Sequence, residues 1–197
     1  MLDYNVARSM CISPIMSALK SNGIGFDEAS FLSGLGKGRL LEIGMGIGQE
    51  ANIEEAARLA SLVGMELSIV PETAAIYAFT EIAVHRTAKA DMTGYARRVV
   101  EMTEKVSDLC IDLRLATELP TGVFERHYGI EEGFMARLAD VTRSASTNLQ
   151  EIFNYLNAFG ATLTSFPRKS EYVNYYRAMR ATEGELSVLA AAGLKVA

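Results

Sequence analysis

The sequence predicts an all-α, mostly helical protein, with a helix-turn-helix-like domain over residues 1–72 and a helical bundle over 73–197. Three observations lead there. Short apolar stripes of helical period lie between glycines over 27–63. Longer seams, with apolar residues alternating three and four apart, run through 92–118 and 131–159. Strand-like alternation is confined to a short stretch near 65–70, with ATLTSF before Pro167 as a weak second.

Composition sets the bounds. The chain has 197 residues and is 49% hydrophobic, enough to bury a core in one large domain or two small ones. Charged residues make up 22%, which excludes wholesale disorder. The net charge of −5 makes the whole chain a poor polyanion binder, so any DNA contact must come from a local basic patch. Cys11, Cys110, His85 and His127 are isolated from one another, without metal-ligand spacing, so neither metal nor cofactor is expected. The cysteines read as small buried hydrophobes in a reducing compartment. The first residues lack a basic stretch followed by an unbroken apolar run, so no signal peptide is expected. No run approaches the ~20 apolar residues of a membrane span, so the expected location is the cytoplasm.

The elements follow in order. Asn5 to Lys20 reads as a helix stopped by Asn22 and Gly23, with Pro14 best tolerated near a helix start. Asp27 to Leu32 is a short helix with an acid in its first turn. Lys37 to Ile43 is another, set between glycines. Asn52 is a good N-cap for Ile53 to Val63, with Glu54 and Glu55 in the first turn and Gly64 at its end. Met65, Leu67 and Ile69 then alternate with Glu66 and Ser68 as a short extended exit closed by Pro71. Residues 72–90 are alanine-rich and helical. Tyr95, Val99, Met102, Val106, Leu109 and Leu113 form the first long seam. Phe134, Leu138 and Val141, then Leu149, Ile152, Leu156 and Phe159, form the second, broken by a stutter at Ala145. Both seams read as an intramolecular core more readily than as a coiled-coil dimer seam, because strict coiled coils run longer. Tyr172 to Leu189 is a last helix.

Two readings compete for residues 25–72. In the first, GFDEASFLSG is a scaffold helix, Leu35-Gly36 a turn and KGRLLEIG a recognition helix, with NIEEAARLASLVG packed underneath. Ser30 is small where the helices touch, Gly34 suits the bend, and Leu40 and Ile43 anchor the second helix in the core. Lys37 and Arg39 then project forward to meet phosphate or a guanine edge, with Gly38 between them and Lys20 and Arg58 at the flanks.

This segment resembles the Cro/repressor-type helix-turn-helix regulators. Gly34, Leu40, Ile43 and Gly46 fall where that family often has its turn glycine, two apolar anchors and the glycine after the recognition helix. NIEEAARLASLVGMELSIVPE is similar to the family's next helix and short extended tail. The likeness covers roughly the N-terminal quarter of the chain. Phe26 stands where the family commonly has a polar phosphate contact, and Gly44 replaces a frequent acid. The resemblance implies binding of double-stranded DNA by a non-enzymatic transcriptional regulator. A homodimer is expected too, because one short recognition helix buries little surface.

The second reading takes RLLEIGMGIG as a strand and glycine turn, which resembles the cofactor loop of S-adenosylmethionine-dependent methyltransferases, with Glu72 as a ribose-binding acid. That fold needs further parallel strands alternating with helices, and residues 73–197 offer helical seams instead. A third expectation keeps the helical fold but has it bind protein through the C-terminal helices. A second basic patch, Arg168, Lys169, Arg177 and Arg180 interleaved with tyrosines, reads mainly as a solvated helix face. No Ser/His/Asp or Cys/His catalytic set is visible. The adjacent acids Glu54-Glu55 and Glu131-Glu132 read as surface residues at helix starts.

Overall fold

The computed structural model describes residues 3–72 and 92–167. These residues form nine helices and one two-stranded antiparallel sheet. The chain is therefore mostly helical, as expected, and its two strands fall on the two stretches of strand-like alternation. Residues 73–90 of the alanine-rich stretch, the last helix and the patch Arg168, Lys169, Arg177 and Arg180 lie outside the described residues.

Helix α1 spans Tyr4–Ser21, and the Asp3 carboxylate caps it by accepting from the Asn5 N–H. Pro14 lies inside this helix and is buried, not near its start as expected. Proline has no N–H, so the Met10 carbonyl loses its intrahelical donor. The Thr164 hydroxyl donates to that carbonyl at 3.0 Å, and the Ser165 hydroxyl donates to the Cys11 carbonyl at 2.7 Å. A defect in one element is thus repaired by another 154 positions away. Helices α2 (Phe26–Ser33), α3 (Lys37–Met45) and α4 (Ile53–Leu62) follow, and then strand β1 (Met65–Pro71).

The second half follows a similar order with one extra short helix. Helix α5 spans Tyr95–Leu115, α6 Thr121–Tyr128, α7 Phe134–Ala139, α8 Val141–Ser144 and α9 Leu149–Asn157, and strand β2 spans Ala161–Pro167. The predicted seam over 131–159 is therefore three short helices, not one long element. Its break near Ala145 is where α8 ends and Asn148 caps a new helix. Val99, Met102, Val106 and Leu113 of the first seam are buried within the chain.

The two halves resemble each other, and their pairing follows an approximate two-fold axis. Asn52, Gly64 and Pro71 of the first half correspond to Asn148, Gly160 and Pro167 of the second, each 96 positions on. Both asparagines cap their helix through a reciprocal capping box, with Glu55 and Glu151. Helices α2 and α6 each have eight residues and each ends on a left-handed glycine, Gly34 and Gly129. Gly23 and Glu118 occupy the same place after α1 and α5, both at positive φ (69° and 56°).

The units meet about the axis. Strands β1 and β2 pair antiparallel, with the equivalent residues Ser68 and Thr164 facing each other at the centre of the ladder. Asn52 and Asn148 form an isolated bridge. It is flanked by the equivalent hydrogen bonds Ile53 N–H to the Thr147 carbonyl (3.0 Å) and Leu149 N–H to the Ala51 carbonyl (2.7 Å). Helix α1 packs on β2 and α9, while α5 packs on α4 and β1. Each unit's first helix thus crosses onto the other unit. The boundary expected at residue 72 falls within a single core shared by both halves.

Leu163 is fully buried in β2. Leu163→Ala is expected to cost about 2–5 kcal/mol of stability, the usual cost of such a cavity. Hydrogen-exchange protection should then fall in α1 and α5 together. A loss confined to residues 95–167 would contradict the shared core.

Candidate functional site

In the first unit two short helices, α2 and α3, are joined by three residues, 34–36. Helix α2 ends at Gly34, whose φ of 72° is a left-handed conformation that favours glycine. The three-residue turn is tied down locally: the Ser30 hydroxyl donates to the Leu35 carbonyl at 2.7 Å, and the Leu35 N–H donates to the Ser33 hydroxyl at 3.2 Å. Leu40 and Ile43 are buried and anchor α3, in the places the sequence assigned them. The segment KGRLLEI is therefore helix, and the strand-and-turn reading of RLLEIGMGIG is corrected.

The crowded glycines have an internal reason. A Cβ on Gly44 would lie 2.8 Å from the Met16 methyl, and one on Gly46 would lie 2.8 Å from the Arg8 guanidinium. The Arg8 guanidinium also donates to the Ile43 carbonyl. Gly44 and Gly46 thus let Met16 and Arg8 of α1 close over the end of α3.

Lys37 sits at the front of α3, ion-paired at 2.7 Å with Asp27 of α2, and both side chains are largely exposed. Gly38 is exposed beside it, with open space where a side chain would stand. Lys20 is exposed at the end of α1, on the rim of an apolar cavity of about 460 Å³.

Arg39 does not project forward as expected. Its Nε donates to Glu55 Oε1 at 2.6 Å, and Nη2 donates to Glu55 Oε2 at 2.7 Å and to the Glu50 carbonyl at 2.9 Å. Its Nη1 donates to Glu42 Oε2 at 2.9 Å and to the Gln49 carbonyl at 2.6 Å. A guanidinium has five N–H donors, and all of Arg39's are spent inside the protein. Arg58 is likewise occupied, with Nη1 donating to the Ser33 carbonyl at 2.8 Å and Nη2 to Glu54 at 2.6 Å. Of the five residues assigned to DNA, Arg39 and Arg58 hold helices in place, while Lys37, Gly38 and Lys20 face solvent.

Glu55 was expected as a surface acid. Its side chain is instead mostly buried, and it links two devices at once. Oε2 accepts from the Asn52 N–H at 3.0 Å to close the capping box of α4, and both oxygens receive the Arg39 fork. Burial by itself would raise this carboxyl's pKa. The bonds from Arg39 and the Asn52 backbone outweigh burial and hold it below its ordinary value of 4.5. Arg137 of α7 repeats the arrangement by donating to Glu151, the capping-box acid of α9.

The face around α2 and α3 is apolar as well as polar. Phe31 is 86% exposed, Met45 66% and Ile47 52%, with Leu41 and Phe26 also outward. Burial pushes the Cys11 thiol up to about 12 and the Cys110 thiol higher still, so neither is a ready nucleophile. Among the described residues no three His, Cys, Asp or Glu side chains converge as metal ligands, and no helix is long and apolar enough to cross a membrane.

Sequence reasoning missed the second unit, though a signal was present. N-x-x-E followed by G-x-x-L-[ST]-x-x-P occurs twice, as Asn52…Pro71 and Asn148…Pro167. No protein-family model, curated protein or solved structure matches the chain.

Arg39→Ala leaves the mostly buried Glu55 without its main partner and should cost about 2–4 kcal/mol, less than a fully buried pair because water reaches part of it. Urea titration checks this. The lowered Glu55 pKa contributes stability that is fully present above pH 4.5 and is lost as pH falls through the lower folded value. Glu55→Gln should flatten that acid limb, and an unchanged limb would show the pair contributes nothing there.

Proposed function

We propose that the protein is a regulator that binds double-stranded DNA through the helix-turn-helix of its first unit, acting by binding and not by catalysis, in the cytoplasm. The observation that carries this reading is the placement of α3. It follows a three-residue turn closed by a left-handed glycine, is anchored by Leu40 and Ile43, and lies on the surface with its first turn open. The resemblance of residues 25–72 to Cro/repressor-type regulators supports the same reading.

The residues divide into two roles. Gly25 and Gly36 cap α2 and α3 without a side-chain hydrogen bond. The first N–H groups of both helices are therefore not claimed by a capping side chain, and such groups suit phosphate oxygens. Lys37 is the nearest cation. Its exposed pair with Asp27 is worth about 0–1 kcal/mol, little enough to be exchanged for a phosphate. Gly38 lets the duplex approach the backbone. Lys20 adds a second phosphate contact at the flank. Arg39 and Arg58 are positioning residues that fix α3 against α4 and the end of α2.

A specific observation favours a second reading. Phe31, Met45 and Ile47 stand exposed on or beside α2 and α3, and exposed apolar groups of this size are typical of protein-docking faces. In that reading the same face takes a protein partner.

Few cations face the duplex, so log affinity should fall with log salt at a slope of only about −2 to −4. Gel retardation on a pool of random duplexes, across a salt series, measures this. Lys37→Glu should abolish retardation while leaving the melting temperature unchanged. Failure of every duplex to be retarded at low salt would remove the DNA reading and leave protein docking, which Phe31→Asp would then disrupt.

A further inference from the structure

The geometry points to a second helix-turn-helix in residues 95–167, α6–turn–α7, so that one chain supplies both halves of a two-part reading surface and engages two unequal half-sites on one duplex. The inference rests on the DNA reading above and extends it to a half of the chain that the sequence marked only as a bundle.

The equivalence of the halves carries it. Helix α6 has the eight residues of α2, and Gly129 ends it in the left-handed conformation that Gly34 adopts. Helix α7 is locked to α9, the last helix of its unit, by Arg137 on Glu151, as α3 is locked to α4 by Arg39 on Glu55. In both units that glutamate also closes the capping box of an asparagine, Asn52 or Asn148. Glu118 is the one non-glycine residue at positive φ among the described residues, and it stands where the first unit has Gly23. The second unit keeps the backbone path even where its residue disfavours it.

The symmetry gives this functional meaning. Elements related by a two-fold axis lie at equal height along that axis. Dimeric helix-turn-helix proteins meet the two halves of an operator by such symmetry. Here the contacts that would join two chains lie inside one. Strand β1 finds its partner in β2, and the Asn52–Asn148 bridge sits within the chain. A single chain therefore does what a homodimer would, and the dimer expected from the sequence is replaced by an internal one.

The two surfaces are not alike. The exposed front of α3 carries Lys37, Gly38 and Leu41. Helix α7 follows a five-residue turn and exposes Ala136 and Ala139, with Arg126 and Arg143 exposed on the flanking helices. Arg143 is 70% exposed and only loosely paired with Asp140 at 3.4 Å. Unlike surfaces read unlike sequences, so the matching duplex is not palindromic.

The test uses the full chain and duplexes selected from a pool of about 40 base pairs with a randomised centre, longer than two half-sites set one turn apart. Sedimentation should give one chain per duplex, and footprinting should give two protected clusters. Lys37→Glu should erase one cluster and Arg143→Glu the other, each with a loss in affinity of about tenfold or more, the scale of one lost base or phosphate contact. Ala136→Glu, at another exposed site, should act as Arg143→Glu does, and circular dichroism checks that each variant is folded. Two chains per duplex would overturn the inference. So would a single cluster insensitive to both Arg143→Glu and Ala136→Glu, while DNA binding through α3 still stood. Failure to bind any duplex would overturn both readings.

Discussion

The ladder between β1 and β2 is the constraint on which the rest depends. A two-stranded sheet is marginal alone, yet this one has every residue of β2 buried, because helices from both units cover it. Its register places Ser68 opposite Thr164 and so fixes the axis that relates the two halves. A slip of one residue would exchange the faces of both strands and separate the Thr164 and Ser165 hydroxyls from the α1 carbonyls they serve. Proline is tolerated inside α1 because β2 lies where it can satisfy the freed carbonyl. Ladder and helix defect are thus parts of one solution.

Within each unit an arginine and a glutamate do for the third helix what the ladder does for the whole. Glu55 is costly to bury as an anion, and Arg39 is costly to bury as a cation. The fork between them, with the Asn52 N–H and two loop carbonyls, satisfies the buried charges with geometry that neither would have in water. The consequence is positional more than energetic. Helix α3 is held by its own arginine against the start of α4. The same arrangement in α7 and α9 shows that the lock belongs to the unit and not to one surface.

That lock changes the chemistry of the exposed face. With Arg39 and Arg58 turned inward, α3 presents a lysine, glycines and apolar side chains. Such a face offers few cations and leaves the backbone at Gly36 and Gly38 open to solvent. The acidic chain adds no long-range attraction to a polyanion.

The sequence by itself determined the local elements. Glycine and asparagine punctuation bounded α2, α3 and α4 to within a few residues, because caps and left-handed turns are written in single residue types. Helical period identified the buried face of α5. Leu40 and Ile43 were legible as anchors, and Lys37 as an exposed front residue. The tertiary structure alone decided where the long side chains went and what the halves did to each other. Arg39 has enough rotatable bonds to point at solvent or at Glu55, and only the position of α4 settles which. Pairing of β1 with β2 joins segments about 90 residues apart, and no local period encodes a partner at that distance. The repeat was written in the two N-x-x-E…P stretches, but its meaning lies in the contact between them, which exists only once the chain has folded.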